Sequence, residues 1–217
     1  AVVPATVSGA GGPGEAFDTV LLLPSALAGF LALAVVSAVA SGGGRELLSR
    51  DPAQIHPISP TTDHLGALLL APLNISWLLQ AWTLLGATAY AVGLGNLAQA
   101  QLVMAAWLVA ATAVAQVVAW SLEGVRRTSH GTAVIRVLAV ALAGGALVLQ
   151  MNGELVPLLD RIPTTPVVLA MLTGWSWRWA ITLVVVLAVA LAAVVVAAIP
   201  AHLAARRSPR DELRVES

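Results

Sequence analysis

The sequence contains neither cysteine nor lysine among its 217 residues. Without cysteine, the chain has no disulfide, no thiolate metal site and no cysteine nucleophile. Without lysine, it lacks the side chain that contacts the phosphates in a G-x-x-x-x-G-K-[ST] loop, and it has no amine for a Schiff base. The absence of lysine therefore excludes a conventional P-loop ATPase within this chain.

Charge is also scarce. Charged residues make up 10% of the chain and hydrophobic residues 59%, whereas about 25% of an ordinary globular domain is charged. The 58 residues between His64 and Glu123 include no Asp, Glu or Arg. As a helix they would extend about 87 Å, and the hydrocarbon core of a bilayer is about 30 Å thick. The stretch therefore predicts two crossings of a lipid bilayer.

Apolar runs and polar segments alternate along the whole chain, which predicts an all-α, polytopic membrane helix bundle with about five transmembrane helices. One transmembrane domain is predicted over 18–203, between an extracytoplasmic loop at 1–17 and a cytoplasmic tail at 204–217. A short apolar run between prolines predicts a re-entrant or interfacial element at 153–175. The predicted spans lie near 20–40, 65–92, 97–122, 132–151 and 180–200.

The arginines predict the orientation, because cytoplasmic segments carry the excess of positive charge. Segments 41–64, 123–136 and the C-terminal tail contain every arginine except Arg161 and Arg178. The N-terminus is therefore expected outside and the C-terminus inside. A composition rich in Ala, Val, Gly and Arg but without lysine is typical of a GC-rich bacterial genome, so a bacterial cytoplasmic membrane is the expected location.

Polar residues recur on single faces of two predicted spans. Ser76, Gln80 and Thr83 are spaced i, i+4 and i+7, and Thr112 and Gln116 are spaced i, i+4. They either line a translocation path or a contact between protomers, or they form ordinary hydrogen bonds between helices, which is the more frequent case. No charged residue lies away from a helix end, and this disfavours a proton or ion pump.

Chemistry at a catalytic or metal site is not predicted. The chain has no G-x-S-x-G motif, and its histidine spacings match no zinc pattern. An intramembrane hydrolase would need a serine and a histidine within the membrane, and no histidine is predicted there. We expect no enzyme activity, no cofactor in this chain and no nucleic-acid partner. The histidines are His56, His64, His130 and His202.

The polar segment 41–64 precedes the second predicted span. It contains an Arg-Glu pair, then a Pro-Ile-Ser-Pro element, and the following helix begins with Leu-Gly. The run GRELLSRDPAQIHPISPTTDHLGALLLAPLNISW resembles the first cytoplasmic loop and following helix of ABC-2 type transporter permeases. In that family this loop is the coupling helix that contacts the ATPase subunit. The resemblance assigns to the coupling region the residues Arg45, Glu46, Pro57, Ser59, Pro60 and Asp63.

The resemblance implies a permease subunit of an ATP-driven exporter. Its partners would be a P-loop ATPase that binds ATP and Mg and a second permease half or a second copy of this chain. The family has six spans with short re-entrant helices before the last one, so this chain would be a C-terminal portion without the first span. Two alternatives stay open: segment 41–64 is a solvated connector, or the chain is a non-catalytic structural or assembly subunit of a larger membrane complex.

Overall fold

The computed structural model describes residues 2–40, 75–126, 128–161 and 163–205. These residues form helices joined by turns and contain no strand. Five of the helices are long and apolar enough to cross a membrane. The all-α, polytopic helix bundle predicted from the sequence is confirmed. The helices are α1 (Val2–Ala5), α2 (Glu15–Ala40), α3 (Ile75–Val92), α4 (Leu97–Arg126), α5 (Gly131–Met151), α6 (Leu155–Asp160), α7 (Thr164–Leu172) and α8 (Trp177–Ala205).

The five long helices are α2, α3, α4, α5 and α8, and α2, α4 and α8 each extend at least three residues beyond the predicted spans. The first of these five helices, α2, already begins at Glu15, within the predicted loop 1–17. The short helix α1 lies in that loop as well. Charged residues mark the limit of the hydrocarbon, but helical hydrogen bonds continue in water beyond it. The 30 residues of α4 extend about 45 Å, more than the bilayer core. Residues 65–74 of the predicted second span lie outside the described residues.

Helix α4 lies at the centre of the bundle. It contacts α2, α3, α5, α7 and α8, and 67% of its most apolar 18-residue window is buried, against 22% for α2. The core includes Leu23 and Leu27 from α2, Met104 from α4 and Met171 from α7. Lipid is as apolar as these side chains, so close packing rather than transfer from water holds the helices together.

A second contact between α2 and α4 is built from alanines. Ala38 packs with Ala115 and Ala119, and all three are at least 95% buried. Small side chains allow two helix backbones to approach closely, which is a common basis of helix association in membranes.

Three segments meet at one end of the bundle, which we call the loop-rich end: 2–14, the turn at 93–96, and 152–176. The Gly11 amide donates to the Tyr90 carbonyl at 2.9 Å, and Asn96 Nδ2 donates to the Leu172 carbonyl at 3.3 Å. The α4–α5 turn lies at the opposite end, because α4 runs the full length of the bundle. In the predicted orientation the loop-rich end is extracytoplasmic.

Helices α6 and α7 occupy the segment predicted as re-entrant or interfacial. Each is too short to cross a bilayer, since the nine residues of α7 extend only about 14 Å. Helix α7 nevertheless packs against α2, α4 and α8, and its residues Val167, Val168 and Met171 are almost wholly buried. It is an integral part of the bundle core at the loop-rich end.

Helix α5 differs from every other described span. None of its most apolar 18-residue window is buried, and its main contacts are with α4 and α6, its neighbours along the chain. Large apolar side chains such as Val137, Val140 and Leu142 are each at least 67% exposed. An apolar helix with so little of its surface covered by the described residues has most of that surface available to lipid or to another polypeptide.

Candidate functional site

Three predicted site residues form one face of α3, which we call the α3 polar face: Ser76, Gln80 and Thr83. Ser76 and Thr83 are exposed and Gln80 is half-buried. Gln80 Nε2 donates to Ser76 Oγ at 3.1 Å, and Thr83 Oγ1 donates to the Leu79 carbonyl at 2.8 Å. Both of these hydrogen bonds lie within α3 and hold the Gln80 and Thr83 side chains in place.

The α3 polar face extends to the middle of the membrane span, where exposed polar side chains require an explanation. Thr83 lies nine residues before Val92, where α3 ends, so it is about 14 Å from that end and close to the middle of a hydrocarbon core about 30 Å thick. Amides and hydroxyls at this depth favour polar partners over lipid. The face therefore fits either a water-filled path or a second polypeptide.

Thr112 and Gln116, the other predicted pair, are both 7% exposed and lie inside the bundle. Trp77 Nε1 donates to Thr112 Oγ1 at 2.9 Å, and Thr112 Oγ1 donates to the Leu108 carbonyl at 2.7 Å. The Trp77 ring also packs edge-on against Phe30 of α2, with 6.2 Å between centroids. Thr112 is thus part of a contact that joins α2, α3 and α4.

The side-chain carbonyl oxygen of Gln116, Oε1, accepts no hydrogen bond from the described residues. Among the described residues, four buried side-chain polar atoms make no hydrogen bond to protein. Each costs about 1–3 kcal/mol unless water, substrate or a partner satisfies it. They mark positions where the bundle can accept a polar group. The atoms are Thr88 Oγ1, Trp107 Nε1, Gln116 Oε1 and Thr164 Oγ1.

The structure therefore does not bring the two predicted sets together: the α3 polar face lies on the bundle surface, whereas Thr112 and Gln116 lie within it. The coupling residues lie outside the described residues, and their role stays a prediction. Those residues are Arg45, Glu46, Pro57, Ser59, Pro60 and Asp63.

A polar cluster at the loop-rich end was not predicted. Gln99 is 3% exposed, and its side-chain Nε2 donates to Asn96 Oδ1 at 2.6 Å. The backbone carbonyl of Gln99 accepts a hydrogen bond of 3.0 Å from Trp179 Nε1. With the bond from Asn96 to Leu172, this cluster joins α7 and α8 to the start of α4. The sequence feature that could have indicated this cluster is Gln99, three residues after Asn96 of the G-L-G-N turn. This spacing places both side chains on one face at the start of α4.

Charges within the described part of the chain lie near helix ends. Glu15 and Asp18 are in the first turn of α2, Arg126 ends α4, and Arg178 lies 5.7 Å from the centroid of the Trp177 ring at the start of α8. No group of three or more His, Asp or Glu among the described residues is placed to hold a metal ion. Apart from Arg136 in α5, the polar features away from the ends of the described spans are neutral amides, hydroxyls and indoles.

Comparison of this chain with family models, with curated proteins and with solved structures found no match. Functional conclusions therefore depend on the residues of this chain and on their arrangement.

Proposed function

We propose that the chain is the membrane-spanning permease subunit of an ATP-driven exporter of the ABC-2 type. The observation that supports this proposal best is the α3 polar face, which lies near mid-span on the bundle surface. In the proposal, a second permease half or a second copy of this chain covers that face. The polar path then runs between the two bundles, in a bacterial cytoplasmic membrane.

The source of energy follows from the composition. The described spans have no charged residue at mid-span for ion coupling, and the chain has no lysine for a phosphate-binding loop. ATP and Mg would therefore be bound by a separate cytoplasmic ATPase, and segment 41–64 is its proposed docking site. The buried helix α7, which precedes the last span, agrees with the re-entrant helices that the resemblance implies.

The path of coupling in this proposal runs from segment 41–64 to α3, because α3 follows that segment along the chain. Trp77, near the start of α3, contacts Thr112 of α4 and Phe30 of α2. A displacement of α3 would therefore move α2 and α4 with it and would reorient the α3 polar face. Alternating exposure of the path is then a movement of this three-helix group.

Photo-crosslinking tests the docking site. A crosslinking amino acid at Arg45 or Pro57, in the full chain in its native membrane, is expected to form an adduct with a protein that contains a G-x-x-x-x-G-K-[ST] sequence. The same amino acid at Glu154, which is exposed at the loop-rich end, serves as the control and is expected to give no such adduct. If neither Arg45 nor Pro57 gives an ATPase adduct, the proposed coupling is wrong.

Thiol labelling tests the path, because the chain has no cysteine of its own. Thr83→Cys is expected to react with a water-soluble, charged maleimide in native membranes. Val140→Cys, on the apolar outer surface of α5 and itself 72% exposed, is the matched control and is expected to remain unlabelled. Absence of labelling at both positions would contradict a water-filled path.

The second candidate function is a structural or assembly subunit of a larger membrane complex. The same α3 polar face favours it, since a permanent contact with another subunit would also provide polar partners for Gln80 and Thr83. This function predicts that Thr83→Cys stays unlabelled and that a crosslinker at Gln80 captures one membrane protein that is not part of an ATPase complex. The permease proposal predicts the opposite result in both experiments.

A further inference from the structure

Arg136 is the one charged residue of α5, and α5 is the least packed of the described spans. The 21 residues of this helix extend about 31 Å, which matches the hydrocarbon core of a bilayer. Arg136 lies five residues after Gly131, so its Cα is about 7.5 Å inside the helix start. A guanidinium at this depth needs an anionic or strongly polar partner.

The described residues offer no such partner. Arg136 is exposed, and its guanidinium makes no hydrogen bond or ion pair to any described residue. The residues three and four positions away on the same helix face have no carboxylate: they are Thr132, Ala133, Ala139 and Val140. Arg126, a further cation near this end, belongs to α4 rather than to α5.

The direction of α5 determines the end of the bundle toward which the Arg136 side chain extends. Cα–Cβ bonds in an α-helix tilt toward its N-terminus, and the N-terminus of α5 lies at the end of the bundle opposite the loop-rich end. A long arginine side chain that leaves the helix in this direction reaches the headgroup layer while its methylene groups remain in the hydrocarbon. Lipid phosphates are the anionic groups of that layer.

We propose that Arg136 and the exposed surface of the first turns of α5 form a binding site for an anionic phospholipid headgroup. The guanidinium binds the phosphate oxygens with paired N–H donors, and the apolar surface around Val137 and Val140 contacts the acyl chains. In the predicted orientation the lipid belongs to the cytoplasmic leaflet, where anionic lipids attract arginine. The site is independent of whether the chain transports a substrate.

Native mass spectrometry of the full chain in detergent micelles tests this site, with phosphatidylglycerol as the probe and phosphatidylcholine as the neutral comparison. Arg136→Leu is expected to raise the apparent Kd of the first bound phosphatidylglycerol about fivefold, the effect of removing one arginine near an anionic lipid surface. Arg136→Lys retains the charge but loses the paired donors, so its apparent Kd is expected to lie between those of the unaltered chain and Arg136→Leu. Binding of phosphatidylcholine should change little in either variant.

Arg161→Leu is the matched control, because Arg161 is also exposed but lies at the loop-rich end. Its affinity for phosphatidylglycerol is expected to equal that of the unaltered chain. Leucine at 136 removes no described contact, and far-UV circular dichroism and gel filtration check that the variant folds. Equal affinity in the Arg136→Leu and unaltered chains would overturn the proposal. The proposal would also be overturned if Arg136→Leu bound phosphatidylglycerol as before but no longer crosslinked to a protein that the unaltered chain captures. That result would assign a protein carboxylate as the partner of Arg136.

Discussion

Trp77 of α3 and Thr112 of α4 are joined by a hydrogen bond of 2.9 Å from the indole N–H to the hydroxyl oxygen. The two residues lie 35 positions apart in the sequence. The Thr112 hydroxyl is also a donor within its own helix, so one side chain both accepts from the neighbouring helix and is held in position by its own.

Thr112→Val is expected to lower the free energy of unfolding by about 1 kcal/mol, within the range measured for hydrogen bonds between membrane helices. Valine retains the shape but leaves the Trp77 N–H without its acceptor. Unfolding by SDS in mixed micelles measures the change. Thr83→Val removes a hydroxyl that bonds only within α3 and should cost less; an equal loss in both variants would contradict a specific role for the contact between helices.

Ala115→Leu is expected to destabilise the α2–α4 contact by about 1–3 kcal/mol, since a larger side chain must be accommodated against Ala38. Ala115 is only 1% exposed, so the added carbons have no open space. The same mixed-micelle titration gives the difference. Ala141→Leu adds the same atoms to the exposed surface of α5, and we expect its stability to match that of the unaltered chain.

Gly93→Ala is expected to release segment 2–14 from the α3–α4 turn. Gly93 has φ of +65°, and a Cβ there would lie 3.1 Å from the Ala10 carbonyl oxygen. Both the backbone strain and this contact oppose alanine. Hydrogen exchange at the Gly11 amide, which bonds to Tyr90, should become faster. At Gly95 a Cβ meets nothing within 4 Å, so Gly95→Ala should leave the exchange unchanged.

Asn96→Ala is expected to loosen α7. The change removes the donor to the Leu172 carbonyl and the acceptor of the buried Gln99 amide, and an unsatisfied buried donor costs about 1–3 kcal/mol. Amide exchange over 164–172 reports the effect and should accelerate. Asn152→Ala, at the exposed end of α5, is the control. If amide exchange over 164–172 accelerated equally in Asn152→Ala, the Asn96 contacts would not be what holds α7.

The sequence predicted the existence of the spans because hydrophobic length and charge are properties of single segments. The fourth predicted span, 132–151, differs from α5 by one residue, since arginines precede it and Asn152-Gly153 ends it. Helix lengths were underestimated where a span continues into water. Glu15, for example, lies inside α2 rather than in the loop predicted at 1–17.

The partners of polar side chains could not be predicted in the same way. In a soluble helix, a polar face points to water and an apolar face to the core, but in a membrane bundle both faces are apolar. The spacing of Ser76, Gln80 and Thr83 therefore indicated one face without showing whether it is buried. Gln99 and Trp179 come together only through the packing of α7 and α8 onto α4, which no local pattern specifies.

The isolation of α5 has a consequence for the response of the bundle to its membrane. A span with no buried window derives its depth and tilt from its match to the surrounding bilayer, whereas α4 is held by five neighbouring helices. In a thinner bilayer α5 is free to tilt, at a cost of a fraction of a kcal/mol per Å of mismatch. Spin labels on α5 and α4, measured in lipids of decreasing chain length, should show α5 inclining while α4 keeps its angle.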